Sequence, residues 1–128
     1  MLKTDKAFSG FSVDDISKAK EFYGGTLSMT LKEGEMETLV LQIANGALVI
    51  IYPKPNHVPA EFTILNIPVD NIDEAADELK EKGIELIQND NESIKTDSKS
   101  IMRGNGPNIA WFKDPAGNIL SIIEAEIR

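Results

Sequence analysis

The sequence predicts an α+β fold built from two tandem βαβββ modules, and three observations lead to this prediction. The first is an internal repeat: residues 7–25 and 63–83 each hold a β-forming run, a helix-capping residue and a helical segment. The second is that three strand-like segments follow each helical segment. The third is the proline-rich stretch 53–59 between the copies. We expect a single domain of 128 residues, with module 1 at about 1–55 and module 2 at about 60–128.

The first module begins with a β-forming run that ends at Val13. The acidic pair Asp14-Asp15 follows and is expected to cap the first helix. Gly24-Gly25 is expected to end this helix, because glycine favours the conformation found at helix C-termini. Gly34 and the hairpin signal Asn45-Gly46 then separate three predicted strands. These strands are Met29–Lys32, Thr38–Ile43 and Ala47–Tyr52.

The second module repeats this order when Val69 is aligned with Val13. Asn71, followed three residues later by Glu74, forms a capping-box pattern that predicts a helix start. Gly83 is expected to end the helix. One helical face is apolar and carries Ile72, Ala75, Ala76 and Leu79. The predicted strands of this module are Ile84–Ile87, Ile109–Lys113 and Asn118–Ile123.

A polar stretch, Gln88–Pro107, distinguishes the second module from the first. It is long for a connection within one domain, and such segments are often lids over a pocket or are partly disordered. The apolar triplet Ile101-Met102-Arg103 inside it is expected either to start a strand or to close over a pocket.

Composition restricts the partners and the chemistry of this chain. The net charge of −8 disfavours nucleic acids and anionic membranes as partners and is compatible with a cationic ligand. The absence of cysteine excludes disulfides and thiolate catalysis. No apolar run is long enough to span a bilayer, and the first residues lack a signal-peptide core, so we expect a cytoplasmic protein.

Two motifs resemble a known superfamily. The stretch SVDDISKAKEFYGGTLSM, followed much later by FKDPAGNILSIIE, is similar to the vicinal oxygen chelate superfamily, which includes glyoxalase I, extradiol dioxygenases and bleomycin-resistance proteins. The DPAGN turn is the most specific part: Asp114 can bond backbone groups, Pro115 fixes φ, and Gly117 supplies a positive φ. The resemblance implies that the two modules form a curved mixed sheet around a cleft. It also implies a homodimer.

Metal-dependent members of this superfamily take two ligands from each module, one from the first strand and one from the last. By this analogy the ligand positions are Phe8, Val49, Ile64 and Ser121. None of these residues suits a divalent first-row metal, which favours imidazole or carboxylate at such a site. A shift of one residue does not improve the set. We therefore expect no metal and no cofactor.

The remaining catalytic signals are weak. The only histidine, His57, lies in the proline-rich linker, and no Ser/His/Asp set is identified for it in the sequence. No glycine-rich phosphate loop is present, because GGTLS follows a helix and does not open one.

We therefore interpret the chain as a metal-independent protein that binds small molecules, including drugs or antibiotics. One alternative is a metal-dependent lyase, isomerase or dioxygenase of the same superfamily, and another is an interaction module whose interior is filled by side chains. The expected ligand is a hydrophobic or aromatic small molecule, and a cationic one is compatible with the net charge. The candidate ligand-binding residues are Phe8, Val49, Ile64, Ser121, Phe112, Trp111, Tyr52 and Arg103, with Asn66 and Gln42 as further polar anchors.

Overall fold

Two α+β units make up the chain, Met1–Pro59 and Ala60–Arg128. The structure is a computed structural model that describes residues 1–43, 46–91, 94–104 and 106–124. Each unit runs from a strand through a helix to further strands, so the predicted α+β class with two tandem βαβββ modules is confirmed. Within the described ranges, no helix is both long enough and apolar enough to cross a membrane.

The first unit forms one four-stranded sheet. A 3₁₀ turn at Thr4–Lys6 precedes it. Its elements are β1 Ser9–Val13, α1 Ile16–Lys20, β2 Leu31–Glu33, β3 Leu39–Gln42 and β4 Leu48–Pro53. β1 lies parallel to β4 and the other neighbouring strands are antiparallel, which gives the strand order β1-β4-β3-β2. Asn45, half of the predicted hairpin signal, lies outside the described residues, while Gly46 has a positive φ of 89°.

The second unit contains a three-stranded sheet and a separate two-stranded hairpin. Its elements are β5 Thr63–Pro68, α2 Ile72–Glu81, β6 Asp90–Asn91, β7 Ile94–Lys95, β8 Asn108–Lys113 and β9 Ile119–Glu124. The order β5-β9-β8, with β5 parallel to β9, repeats the order β1-β4-β3 of the first unit. α2 packs against β8 and β9. Its buried residues are Ile72, Ala76 and Leu79, three of the four on the predicted apolar face.

Both helices begin at the predicted capping residues. The Asp15 carboxylate accepts hydrogen bonds from the backbone N–H groups of Ser17 and Lys18, at 3.0 and 3.1 Å. The Asn71 side chain accepts one from the N–H of Glu74, at 3.1 Å. Each cap satisfies backbone donors that have no partner within the helix.

The helical segment of the first unit ends later than the glycines suggest. α1 continues as a π-helix over Glu21–Thr26, so the prediction that Gly24-Gly25 ends the helix is wrong. Tyr23 in this segment is fully buried, and its ring centroid lies 5.7 Å from that of Phe11. This packing outweighs the tendency of the two glycines to end a helix.

The predicted strand Ile84–Ile87 is reduced to a short contact at the edge of β8. Leu86 forms an isolated bridge with Phe112, and the N–H of Ile87 donates to the carbonyl of Trp111 at 2.8 Å. The strand goes no further because the chain then leaves the sheet edge to form the β6–β7 hairpin.

The polar stretch Gln88–Pro107 contains the β6–β7 hairpin and two bridge residues among its described positions. Besides the hairpin, Met102 forms isolated bridges with both Thr96 and Ile109. Ile101 is fully buried. The triplet Ile101-Met102-Arg103, which was expected either to start a strand or to close over a pocket, therefore forms only isolated bridges at Met102.

Candidate functional site

The sheet of the second unit has one face covered by α2 and one face that carries the candidate site. Across β8 and β9, Phe112 is paired with Leu120 and Trp111 with Ser121. Because side chains alternate along a strand, these two pairs lie on opposite faces. Phe112 and Leu120 are fully buried on the helix-covered face. Trp111 and Ser121 share the other face, so the structure separates Phe112 from the rest of the predicted set.

Two hydrogen bonds fix the polar groups on this second face. The Ser121 hydroxyl donates to Oδ1 of Asn66 at 2.6 Å, and Ser121 itself is fully buried. The indole N–H of Trp111 donates to Oγ1 of Thr63 at 3.2 Å. Ile64 lies at a register shift between Thr63 and Leu65, where β5 has one residue more than β9. The shift places Thr63, and not Ile64, beside the indole.

A pocket of about 380 Å³ lies at the end of this face. Its lining residues are Glu61, Phe62, Thr63, Ile87, Asn89, Ile94, Trp111 and Ile119. Phe62 is 70% exposed and Ile94 is 37% exposed, so apolar surface is open to solvent at the pocket. Its size and its apolar wall with a few polar groups are typical of small-molecule sites.

Of the candidate residues from the sequence, Trp111 lines this pocket, and the other lining residues were not among the candidates. Phe62 lies three residues after Pro59 and directly before β5, and a large aromatic at the entrance to a strand could have indicated it. Asn89 and Ile94 come from the polar stretch Gln88–Pro107, in which Arg103 was the candidate for ligand contact. No sequence signal places these two residues beside Trp111, because their position depends on the path of the hairpin.

Arg103 lies in an ion-pair network and does not line the pocket. Its Nη2 is 2.8 Å from Oδ1 of Asp73, and its Nε is 2.9 Å from Oδ2 of Asp97. Nζ of Lys99 lies 3.0 Å from the same Oδ1 of Asp73. The hydrogen bond from Lys99, followed by that from Arg103, lowers the pKa of Asp73. Burial opposes ionisation of Asp97, but hydrogen bonds from the Ile101 N–H and from Arg103 leave its pKa below the ordinary value.

In the first unit the predicted residues lie on different faces of the sheet. Phe11 contacts Tyr23 of the helical segment and is paired with Ile51, so Ile51 and Val49 face the helix. Val49 is buried there. By the same strand register, the counterpart of Ser121 is Ile50, which corrects the assignment of Val49.

The opposite face of the first unit carries exposed apolar and aromatic side chains. Phe8 is 66% exposed and Tyr52 is 41% exposed. Phe8 and Leu48 line a cavity of about 430 Å³ together with Asp5, Lys6, Ala7, Gly46 and Ala47.

His57 has a serine neighbour that the sequence does not reveal. Its Nδ1 lies 2.6 Å from the hydroxyl oxygen of Ser12, which is 45 positions away in the chain. The N–H of Lys54 donates to the carbonyl of Val13 at 2.9 Å and holds the linker beside the end of β1. The proline-rich linker thus brings His57 beside Ser12, a contact between side chains that are far apart in the sequence.

The residues do not fit the divalent metal that the family resemblance implies. The analogous positions carry Phe8, Ile50, Ile64 and Ser121, none of which supplies an imidazole or a carboxylate. Across residues 1–43, 46–91, 94–104 and 106–124, no three His, Cys, Asp or Glu side chains are arranged to hold a metal ion.

Solved structures share this fold at low sequence identity. A hypothetical protein from S. aureus aligns with a TM-score of 0.69 at 19% identity, over 98% of this chain and 95% of that one. TnmS3, an antibiotic binding protein from Streptomyces sp. CB03234, aligns with 0.65 at 22%, over 94% and 96%. Lactoylglutathione lyase from Agrobacterium tumefaciens aligns with 0.66 at 15%, over 91% and 90%.

At these identities the likeness concerns the fold alone. Among curated proteins, no sequence matches this chain significantly. The model of the glyoxalase/bleomycin resistance protein/dioxygenase superfamily, however, matches residues 8–122. That range contains both modules and the DPAGN turn, so the resemblance noted in the sequence is confirmed. The chain belongs to the glyoxalase/bleomycin resistance protein/dioxygenase superfamily.

Proposed function

We propose that this protein binds a hydrophobic or aromatic small molecule, such as a drug or antibiotic, without using a metal ion. The observation that carries the proposal is the pocket of about 380 Å³ with Phe62, Ile94 and Trp111 in its wall. Transfer of an apolar ligand surface from water into such a wall is favourable by roughly 25 cal/mol per Å². We also propose a homodimer, as the family resemblance implies, and a location in the cytoplasm.

The polar groups of the pocket suggest how a ligand would be oriented. Thr63 and Asn89 supply hydroxyl and amide groups, and the carboxylate of Glu61 supplies negative charge. An aromatic cation would combine stacking on Trp111 with attraction to Glu61. Ser121 and Asn66 act indirectly in this proposal, because their mutual hydrogen bond fixes the strands beside Trp111.

The likeness to TnmS3 supports the binding function because that protein binds an antibiotic on the same fold. The likeness to lactoylglutathione lyase is of similar size but gives no support for metal chemistry here. The metal-dependent alternative needs a set of imidazole or carboxylate ligands, and the described residues offer none. Phe8 and Tyr52 belong to the first unit and do not line this pocket, so their contact with a ligand stays a prediction from the sequence.

The test is a fluorescence titration with N-phenyl-1-naphthylamine, a neutral aromatic probe. Trp111 is the only tryptophan, so quenching of its emission reports on probes that occupy the pocket. We expect Phe62→Ala to weaken binding about tenfold, since it removes much of an aromatic wall. Met36→Ala is the matched control, because Met36 is 89% exposed and lies in the first unit.

Elemental analysis of the same preparation completes the test. We expect no stoichiometric metal, and no change in probe affinity when Zn²⁺, Ni²⁺, Mn²⁺ or Fe²⁺ is added. Tight stoichiometric metal, or equal affinities of the wild type and Phe62→Ala, would contradict the proposal. Phe8→Ala in the same titration tests the ligand contact predicted for Phe8 from the sequence.

A further inference from the structure

Ion pairs attach the segment 97–103 to α2. Lys99 and Arg103 both approach Oδ1 of Asp73 in the first turn of α2, at 3.0 and 2.8 Å. Lys99 also lies 3.6 Å from Asp77, one helical turn further on. Two cations from one short segment thus meet two carboxylates of one helix.

Within the same segment, Asp97 forms hydrogen bonds that stabilise a turn. Oδ1 of Asp97 accepts hydrogen bonds from the N–H groups of Lys99 and Ile101, at 2.9 and 3.0 Å. Oδ2 accepts one from Nε of Arg103 at 2.9 Å. The backbone N–H of Asp97 donates to the carbonyl of Ile101 at 2.8 Å. Asp97 therefore joins the turn at residues 97–101 to the guanidinium that reaches α2.

Hydrogen bonds connect this turn to the pocket wall. Thr96, directly before Asp97, donates its N–H to the carbonyl of Asn89 at 2.9 Å. The Thr96 hydroxyl accepts the N–H of Asn89 at 2.8 Å. Asn89 and Ile94 line the pocket. Asn89 is itself bonded to Thr96, and Ile94 lies two residues before Thr96.

We propose that Arg103 and Asp97 are positioning residues of the pocket. They hold the chain that carries Asn89 and Ile94 in place, so ligand affinity depends on an ion-pair network that does not touch the ligand. This inference rests on the proposed binding function. It also gives Arg103 a role different from the direct ligand contact expected from the sequence.

The network is exposed enough to respond to salt. The Arg103, Asp73 and Asp97 side chains are 39%, 45% and 38% exposed. Exposed ion pairs are weakened by salt, because the screening length falls to about 3 Å at 1 M ionic strength. The binding of an uncharged ligand should therefore depend on salt through this network.

The experiment compares N-phenyl-1-naphthylamine binding to the wild type and to Arg103→Met, at low and at high NaCl concentration. We expect Arg103→Met to weaken binding about threefold to fivefold at low salt, the range of one or two exposed ion pairs. At 1 M NaCl the two affinities should converge. Lys20→Met is the control, because it removes the exposed Lys20–Glu33 ion pair of the first unit and should leave affinity unchanged.

The outcomes separate this inference from the proposed function. Equal affinities of Arg103→Met and the wild type at low salt would overturn the positioning role while leaving the pocket intact. A deficit that persists unchanged at 1 M NaCl would show a general packing defect and would also overturn it. If Arg103→Met does not fold, Asp73→Asn tests the same ion pair from the helix side. Failure of the wild type to bind the probe would reject both the proposed function and the positioning role.

Discussion

At the scale of single residues, the buried carboxylate of Asp114 determines the turn between β8 and β9. Its Oδ1 accepts the N–H groups of Ala116 and Asn118, at 2.9 and 2.8 Å. Its Oδ2 accepts the side-chain amide of Asn118 at 3.1 Å. Gly117 provides the positive φ of 88° that the turn requires. The turn therefore fixes the register that places Trp111 opposite Ser121.

We expect Asp114→Ala to lower the free energy of unfolding by about 2–3 kcal/mol, since it leaves two backbone donors without this acceptor in a buried turn. Urea denaturation followed by far-UV circular dichroism measures the change. Lys113→Ala is the control, because Lys113 is exposed and precedes the turn. A loss no larger than that of Lys113→Ala would show that the carboxylate is not needed.

The same turn is a local reference for the candidate residues of β8 and β9. The sequence offered both Trp111 and Phe112, and the register set by the DPAGN turn places Trp111 opposite Ser121. Val49 lacks such a local reference and was assigned to the wrong face by one residue. Ile64 lies at a register shift, and a β-bulge has no reliable signature in a sequence of this kind.

At the scale of elements, the hairpin between β2 and β3 has an unfavourable turn sequence. Met36 and Glu37 have positive φ values of 55° and 60°. The N–H of Thr38 donates to the carbonyl of Glu35 at 3.1 Å, which closes a two-residue turn. Such turns favour Asn-Gly, because other residues in the left-handed region are strained.

Replacing the two turn residues in one double variant, Met36→Asn with Glu37→Gly, should raise the free energy of unfolding by about 1 kcal/mol. The gain comes from relief of backbone strain, and urea denaturation measures it. Glu35→Gly introduces glycine beside the turn, at a residue without a positive φ, and should be destabilising. A double variant that is less stable than the wild type would contradict this reading of the hairpin.

The last strand also stabilises the start of α2. Oε2 of Glu124 accepts the N–H of Ile72 at 2.8 Å, and its Oε1 accepts the side-chain amide of Asn108 at 2.9 Å. The bond from Ile72, followed by that from Asn108, lowers the pKa of Glu124 below its ordinary value of 4.5. A carboxylate with a lowered pKa stabilises the fold above its unfolded-state pKa, and this stabilisation is lost as the pH falls through the folded-state value.

Glu124→Gln tests this contribution, because glutamine keeps an acceptor but removes the charge. We expect the wild type to be more stable than the variant at pH 7. The difference should shrink as the pH falls below about 4.5, the ordinary pKa of the group. Thermal unfolding of both proteins between pH 7 and pH 3 measures it. A difference that is constant over this range would show that the charge of Glu124 does not stabilise α2.

The element order was predictable because the internal repeat and the caps are local signals. The strand predicted at Ile84–Ile87 was wrong in extent, since its residues pair with β8 only near Leu86. The ion pair between Arg103 and Asp73 was not predictable, because it joins residues 30 positions apart. The β6–β7 hairpin was missed for another reason: it lies in a polar stretch that lacks the alternating apolar pattern of a strand. The pocket wall combines segments that are far apart in the chain, so the sequence offered Trp111 as a candidate but not Phe62, Asn89 or Ile94.

At the scale of the whole molecule, the net charge of −8 acts on any charged ligand before it reaches the pocket. An acidic protein raises the local concentration of cations and increases their association rate, and salt suppresses this effect. Glu61 adds a carboxylate at the pocket itself. Charge should therefore distinguish ligands of equal shape mainly through the rate of association.

Acridine and its permanently charged N-methyl derivative provide a matched pair of ligands for this effect. Both offer the same aromatic surface for the pocket wall, and only the second carries a positive charge. In stopped-flow measurements of Trp111 quenching, we expect the cation to associate several-fold faster at low ionic strength, with this advantage lost at 0.5 M NaCl. Glu61→Gln should reduce the advantage but not abolish it, because most of the net charge remains. Equal association rates at low salt would mean that the acidic composition has no part in ligand capture, and selection would then rest on the apolar wall alone.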